Sequence, residues 1–223
     1  RVLSEGEKRW LQAVVSQCAQ ALERSRLYDA EQLLRVRSER LQNMTAALAN
    51  ALTRADVADV IVAEIGAAVG ADATALAVLV EDRGILRTVA WHGFDDDELD
   101  ETFFEVPLDL AHPGIRAMRR RVASFYETME ELTAEFPDPR MVAGHESHLY
   151  VPLVAGRRAN ALLVLSWADP YPLSQDERRF VEARAGQAAQ ALDRATHYET
   201  EQTIAETLQR SVLPVSLPRI EGT

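Results

Sequence analysis

Residues 147–192 read SHLYVPLVAGRRANALLVLSWADPYPLSQDERRFVEARAGQAAQAL. Two apolar runs, Ser147 to Val154 and Ala161 to Trp167, flank the polar joint AGRRAN and predict a pair of strands. The Asp-Pro and Tyr-Pro steps that follow break the pattern, and a helix then begins with its own start signal. Ser174 stands three residues before Glu177, the spacing of a capping box, and Asp176 and Glu177 suit the positive end of a helix dipole. Ala183, Ala185, Ala188, Ala189 and Ala191 line that helix with small side chains. The same text occurs earlier in the chain. Leu3 to Gln32 aligns without gaps on Leu173 to Gln202, sharing the Ser-x-x-Glu start, the run Ala-Gln-Ala-Leu, a Tyr and a final Glu-Gln. A repeat at one long period means one structural unit present twice, the first copy showing only its tail. Residues 1–40 are therefore expected to be the tail helix of an upstream unit with a linker, and residues 41–195 one complete unit.

From Glu7 to Ile65 there is neither Gly nor Pro, and good helix formers dominate, which predicts one long helix or two in series. Leu27, Leu34, Leu41 and Leu48 recur every seven residues, with Ala30, Met44 and Ala51 three positions on and Arg37 interrupting once. Such a stripe serves either as a dimer seam or as the face that packs on the chain's own domain. Asp56 begins a second helical pattern, with Val57, Val60, Ile61 and Ile65 on one side, ending between Gly66 and Gly70. The period then changes to two. Ala73 to Val80 and Ile85 to Trp91 predict a hairpin joined by Glu81-Asp82-Arg83-Gly84. Within its first strand Ala73, Ala75 and Ala77 alternate with Thr74, Leu76, Val78 and Val80, and the small face is expected against the Ala-lined terminal helices. Residues 94–146 are less regular: an acidic turn at Asp95 to Asp97, a short strand FFEVPL, a helix from Pro113 to Arg121, a strand near Val122 to Tyr126, then the irregular EELTAEFPDPRMVAGHE. An insertion of this length in a compact domain suggests a pocket wall or lid. The fold class is α+β: a central antiparallel sheet of about five to six strands, long N- and C-terminal helices on one face, and a pocket region of loops and short helices on the other.

The 223 residues, 47% of them hydrophobic, suffice for one sizeable core plus additional helix. A net charge of −11 argues against a nucleic-acid partner, and Arg119 to Arg121 read as the solvated end of a short helix. The single cysteine, Cys18, aligns with Ala188 in the repeat and reads as a small core residue; with no partner thiol, a reducing compartment is expected. The sequence holds no apolar run long enough for a membrane span, so a cytoplasmic, soluble protein without membrane partners is expected.

The order of helices, antiparallel sheet, insertion, two more strands and a long exit helix resembles the GAF domain family. The resemblance is carried by residues 147–192: a Val-Pro-Leu strand, a turn, a Leu-rich last strand, and Pro-Leu-Ser leading into an acidic-started helix. It departs from the family at Asn160-Ala161, where Gly usually enters the last strand. The first repeat copy then looks like the end of an upstream GAF domain. After Gln202 the chain reads TIAETLQRSVLPVSLPRIEGT, which resembles the opening of bacterial metal-dependent serine/threonine phosphatases of the PPM family, those acting on anti-sigma-factor antagonists. The matching residues are Leu208 to Ser211, Leu213-Pro214 and Leu217-Pro218, with Glu221 where Pro is common. The resemblance implies that residues 196–223 are a linker helix and the start of a phosphatase domain whose metal-binding aspartates, using manganese or magnesium, lie beyond Thr223. This stretch would then carry no catalytic site of its own. A sensory domain coupled to a phosphatase, working as a homodimer through its helices, is the leading expectation. A ligand-free dimerisation spacer is the alternative, with a histidine kinase fragment or a sulfoxide-reducing GAF enzyme behind it.

No cofactor is assigned. A covalent bilin needs a pocket cysteine, and paired-thiol redox chemistry needs two; neither is available. The polar signature of cyclic-nucleotide GAF domains is not visible. His145 and His148 lack a third ligand at metal spacing, so no metal site is expected, while His92 and His112 read as turn residues. The candidate ligand-binding residues are Trp91, Phe104, Phe125, Tyr126, His148 and Tyr150, which gather around the insertion and its bordering strands. His197, four residues after Asp193 on the exit helix, imitates a phospho-accepting histidine, but the Leu-Gln-Arg-Ser text downstream argues otherwise.

Overall fold

The computed structural model describes residues 17, 24, 44, 46–94, 101–137 and 144–212. The expectations for Ser4, Glu7, Cys18, Leu27, Leu34, Leu41, the Asp95 to Asp97 turn and the two Leu-Pro pairs lie outside them. The chain divides into a unit of residues 1–46, where Gln17, Arg24, Met44 and Ala46 are helical, and a unit of residues 47–223, which holds the sheet.

In the second unit, helix α1 runs over Arg54–Val69. It starts at Thr53, earlier than its apolar pattern suggests, because Thr53 and Asp56 form a reciprocal capping box: the Asp56 amide donates to the Thr53 hydroxyl at 3.1 Å and the Thr53 amide to the Asp56 carboxylate at 3.2 Å. Those bonds hold the Asp56 carboxyl below its ordinary pKa. The helix continues through Gly66, which has room only for hydrogen because a Cβ there would meet the Thr74 hydroxyl at 2.1 Å, and it ends at Gly70 with φ 63°. Thr53→Ala is expected to lower stability by about 1 kcal/mol, the usual contribution of such a cap, read as a shifted urea midpoint at unchanged slope.

Strands β1 (Ala73–Val80) and β2 (Ile85–His92) form the expected hairpin, closed by a 3-10 turn at Glu81–Arg83 and by Gly84. Then come helix α2 (Glu101–Phe104), strand β3 (Glu105–Pro107), helix α3 (Pro113–Arg120), strand β4 (Ser124–Tyr126), helix α4 (Met129–Glu135), strands β5 (Ser147–Ala155) and β6 (Arg158–Trp167), and helix α5 (Gln175–Val212). The sheet has six strands in the order β3-β2-β1-β6-β5-β4, every pairing antiparallel. Three local expectations are corrected. Phe103 and Phe104 are helical, and only Glu105–Pro107 pair with β2. EELTAEF is not irregular: Thr128 caps a helix there. AGRRAN is mostly strand, since the ladder runs out to Ala155 opposite Arg158 and leaves Gly156 and Arg157 as the turn. Asn160 is the extra residue of a bulge, because Leu153 faces Ala161 while Val154 faces Ala159.

Helix α1 packs on β1 and β2, α5 packs along β5, and the two helices pack on each other. Arg54 fastens them, its amide and guanidinium both donating to the Glu199 carboxylate, at 2.7 and 2.5 Å. The predicted capping box opens α5: the Ser174 amide donates to Glu177 at 2.9 Å and the Glu177 amide to the Ser174 hydroxyl at 3.2 Å. Inward on α5 lie Ala185, Ala188, Ala189, Leu192 and Ala195, whereas Ala183 is exposed.

The expected assignment of sheet faces is reversed. Thr74 packs against Gly66 on the helix side, and Leu76, between its neighbours on that strand, is fully buried on the same face. Ala75 and Ala77 turn to the opposite side, where Ala77 joins Leu86, Ile115, Met118, Leu132, Tyr150 and Leu162 in a second core beneath α3 and α4. Close approach of α5 comes from its own alanines and of α1 from Gly66, so the sheet supplies large side chains there. The small residues of β1 leave space on the other face.

Candidate functional site

That space is a cavity of about 70 Å³. Its floor is the sheet: Ala75 and Ala77 of β1, Leu86 and Thr88 of β2, Leu162, Val164 and Ser166 of β6, His148 and Tyr150 of β5. Its walls are Phe94, Phe103, Val106 and His112, the last at the start of α3. None of these side chains is a carboxylate, a guanidinium or an ammonium.

His148 is 1% exposed, and its Nδ1 lies 2.9 Å from the Ser166 hydroxyl. Its Nε2 is buried with no hydrogen-bond partner. Burial, reinforced by nearby His145, pushes its pKa down to about 4, so the ring is neutral at pH 7. His112 is also buried and is likewise pushed down to about 4 by that burial. It caps α3: the Gly114 amide donates to His112 Nδ1 at 3.1 Å, which leaves the proton of the neutral ring on Nε2. Gly114 is required for this geometry, because a Cβ there would come within 2.4 Å of Leu162 on β6 and 3.1 Å of the imidazole. Tyr150 stands between the two histidines, its ring 5.9 Å from His112 and 6.2 Å from His148, and burial raises its phenol well above the ordinary range. At the mouth, Phe94 meets Phe103 edge to face at 5.2 Å and His145 at 5.4 Å.

Of the six residues expected around a ligand, the structure brings together His148 and Tyr150. Tyr126 lies one layer behind, 6.2 Å from the Tyr150 ring, with its hydroxyl donating to Glu135 at 3.2 Å and accepting from Arg116. Phe125 alternates to the helix side, where it meets Trp167 and the Arg178 guanidinium 4.6 Å above its ring. Trp91 is 38% exposed and packs edge to face on Phe103 and Phe104, outside the cavity lining, as does Phe104 itself. His112 is the principal residue that sequence reading missed. It is a buried cap and not an ordinary turn residue, and the signal was its place directly before Pro113-Gly114 at a helix start. Ser166 was passed over inside an apolar strand. Among the seam leucines only Leu48 is described, and it is 5% exposed.

Among the described residues no group of three or more His, Cys, Asp or Glu is placed to hold a metal ion, and no helix is long and apolar enough to cross a membrane.

Compared with known proteins, residues 51–193 match the family model for the GAF domain. Among solved structures, the GAF domain of an Acinetobacter phosphoenolpyruvate-protein phosphotransferase superposes with a TM-score of 0.63 at 14% identity, covering 81% of this chain and 98% of that one. The GAF domain of the corresponding protein from Coxiella burnetii gives 0.62 at 14% identity, over 73% and 95%. The second GAF domain of DevS from Mycobacterium smegmatis gives 0.54 at 22% identity, over 66% and 99%. At these identities the likeness is one of fold. No curated protein matches the chain. GAF domains are in general sensory or regulatory modules and typically non-catalytic. With a six-stranded antiparallel sheet, terminal helices on one face, a cavity on the other and a family match over most of its length, this chain belongs to the GAF domain family.

Proposed function

We propose that the second unit is a sensor whose cavity takes a small molecule and whose exit helix passes occupancy to a downstream PPM-type serine/threonine phosphatase. The observation that carries the sensing half is the cavity itself, which lies on the sheet face opposite the helices and combines apolar side chains with the polar Thr88, His112, His148, Tyr150 and Ser166. A route outward is supported by the sheet itself. Strand β5 sets His148 and Tyr150 toward the cavity, while Val151 alternates to the side on which α5 packs. A change on one face therefore has one strand to cross before it meets a helix that continues to Val212. The phosphatase half rests on the Leu-Gln-Arg-Ser and Leu-Pro text, and a homodimer on the heptad leucines.

Native mass spectrometry of the purified chain, with an absorption spectrum of the same sample, tests the sensing half. A stoichiometric extra mass is expected, and it should be lost in Ala77→Leu, where the added carbons fill the cavity and raise stability by about 1 kcal/mol. A ligand-free dimer of the unaltered chain would favour the spacer reading, which the small cavity volume supports. For the phosphatase half, manganese-dependent hydrolysis of para-nitrophenyl phosphate is expected from protein extended past Thr223. A kinase catalytic domain following Thr223 would overturn it.

A further inference from the structure

We propose that the outward face of α5 is a self-association surface, on which a second chain lies parallel and in register. This rests on the homodimer reading and adds to it a contact and an orientation. The repeat supplies the first observation. Ala183, Gln187, Gln190, Arg194, Tyr198 and Glu201 recur unchanged at the aligned positions of the first repeat, from Ala13 to Glu31, and all six are exposed on α5. Gln17 and Arg24, the counterparts of Gln187 and Arg194, are helical and exposed as well. The buried side is kept less closely. Val181, Ala185, Ala188 and Ala195 stand where the first repeat has Leu11, Val15, Cys18 and Ser25, while Ala189, Ala191 and Leu192 are shared. A solvated helix face is free to drift and a packed one is constrained, so the reverse order here marks the exposed face as a contact.

Geometry supplies the second observation. Spacings of three and four keep the six side chains on one stripe, about a quarter of the helix circumference. Counting alternate fours and threes from Ala13 arrives at Leu27 and Leu34, the leucines read as a dimer seam. The same count from Ala183 arrives at Ile204 and Leu208, which are 55% and 59% exposed. The third observation is chemical. Two chains of net charge −11 repel over most of their surfaces, whereas this stripe sets Arg194 against a single carboxylate, Glu201. Ala183 permits close approach, and the amides of Gln187 and Gln190 both donate and accept, so each can pair with its twin across a twofold axis. A second copy is the fitting partner because the surface occurs twice in one chain. A parallel twin presents both counterparts together, and polar side chains at seam positions fix its register at some cost in stability.

Disulfide trapping in the full chain tests this, with Cys18 first replaced by alanine, the residue at its aligned position. Under mild oxidation with diamide, Gln190→Cys and Glu201→Cys are each expected to convert most of the protein to a covalent dimer. A disulfide needs Cα atoms about 4.4–6.8 Å apart, and the two positions lie about 16 Å apart along the helix, so only a parallel pair in register satisfies both. Thr203→Cys, exposed on the opposite side of α5, should remain free. Cross-linking at one of the two stripe positions alone would overturn the parallel register. A chain that light scattering shows to be dimeric, but whose stripe variants cross-link no more than Thr203→Cys, would overturn the α5 face and leave the leucine seam standing. A monomeric mass for the unaltered chain would overturn the homodimer reading and this contact together.

Discussion

Truncating Leu163 to alanine is expected to cost the folded unit about 4 kcal/mol, within the range for a leucine whose surroundings cannot collapse. Leu163 is 0% exposed at the middle of β6, with Leu76 of β1 on one side and Val151 of β5 on the other. Its side chain lies on the helix face of the sheet, and both neighbouring strands are held in register by their ladders. The space left by three deleted carbons would therefore persist. Against a total stability of about 5–15 kcal/mol for a domain, such a loss brings unfolding within reach of mild heating. Urea denaturation should show a lower midpoint with an unchanged slope. Val164→Ala, one residue along and facing the half-buried cavity, should cost far less, and equal losses for the two would contradict the assignment of faces.

Acidification from pH 7 to pH 5 is expected to remove about 4 kcal/mol more, about 2 kcal/mol from each of His112 and His148. Both rings have folded pKa values near 4, because burial penalises the imidazolium. In the unfolded chain each returns to about 6.5. Between those values the unfolded state binds the extra protons, so stability is full above about pH 6.5, falls as pH drops, and levels off once pH is below about 4. The carboxylates of Asp56, Glu105 and Glu199, which hydrogen bonds hold below their ordinary pKa, act in a lower window: their contribution is present above the usual carboxylate value and is lost below it. Urea titrations at pH 7 and pH 5 should resolve the histidine effect. His112→Asn, which retains a capping side chain, and His148→Gln should each abolish about half of it. Stability that is level between pH 7 and pH 5 would mean that the rings take up protons without hindrance.

Much of this fold was legible because its signals are local. The Ser174 and Glu177 capping box, the Glu81 to Gly84 turn and the two strands around Gly156 depend on residues a few positions apart, and propensity and periodicity report on such neighbours. Helix α4 escaped notice because just under two helical turns leave too little apolar pattern to detect, and its Thr128 cap is visible only once the helix is known. Within the site, His148 and Tyr150 were found as polar and aromatic residues of one strand at a spacing of two. The same counting could not separate Tyr126 from Phe125, adjacent residues that go to opposite sides of the sheet.

The amino-acid sequence by itself determined which residues share a face, because side chains alternate along a strand whatever the strand packs against. It left the choice between the two faces open. Only the tertiary structure decided that Thr74 and Leu76 meet the helices while Ala75 and Ala77 leave a hollow, since that choice depends on Gly66 and the alanines of α5 already giving the helices their close approach. Burial of His112 and His148 was decided at the same level. An imidazole resists protonation below its ordinary pKa only when distant elements, here β1, β2, β6 and the start of α3, close around it and exclude water.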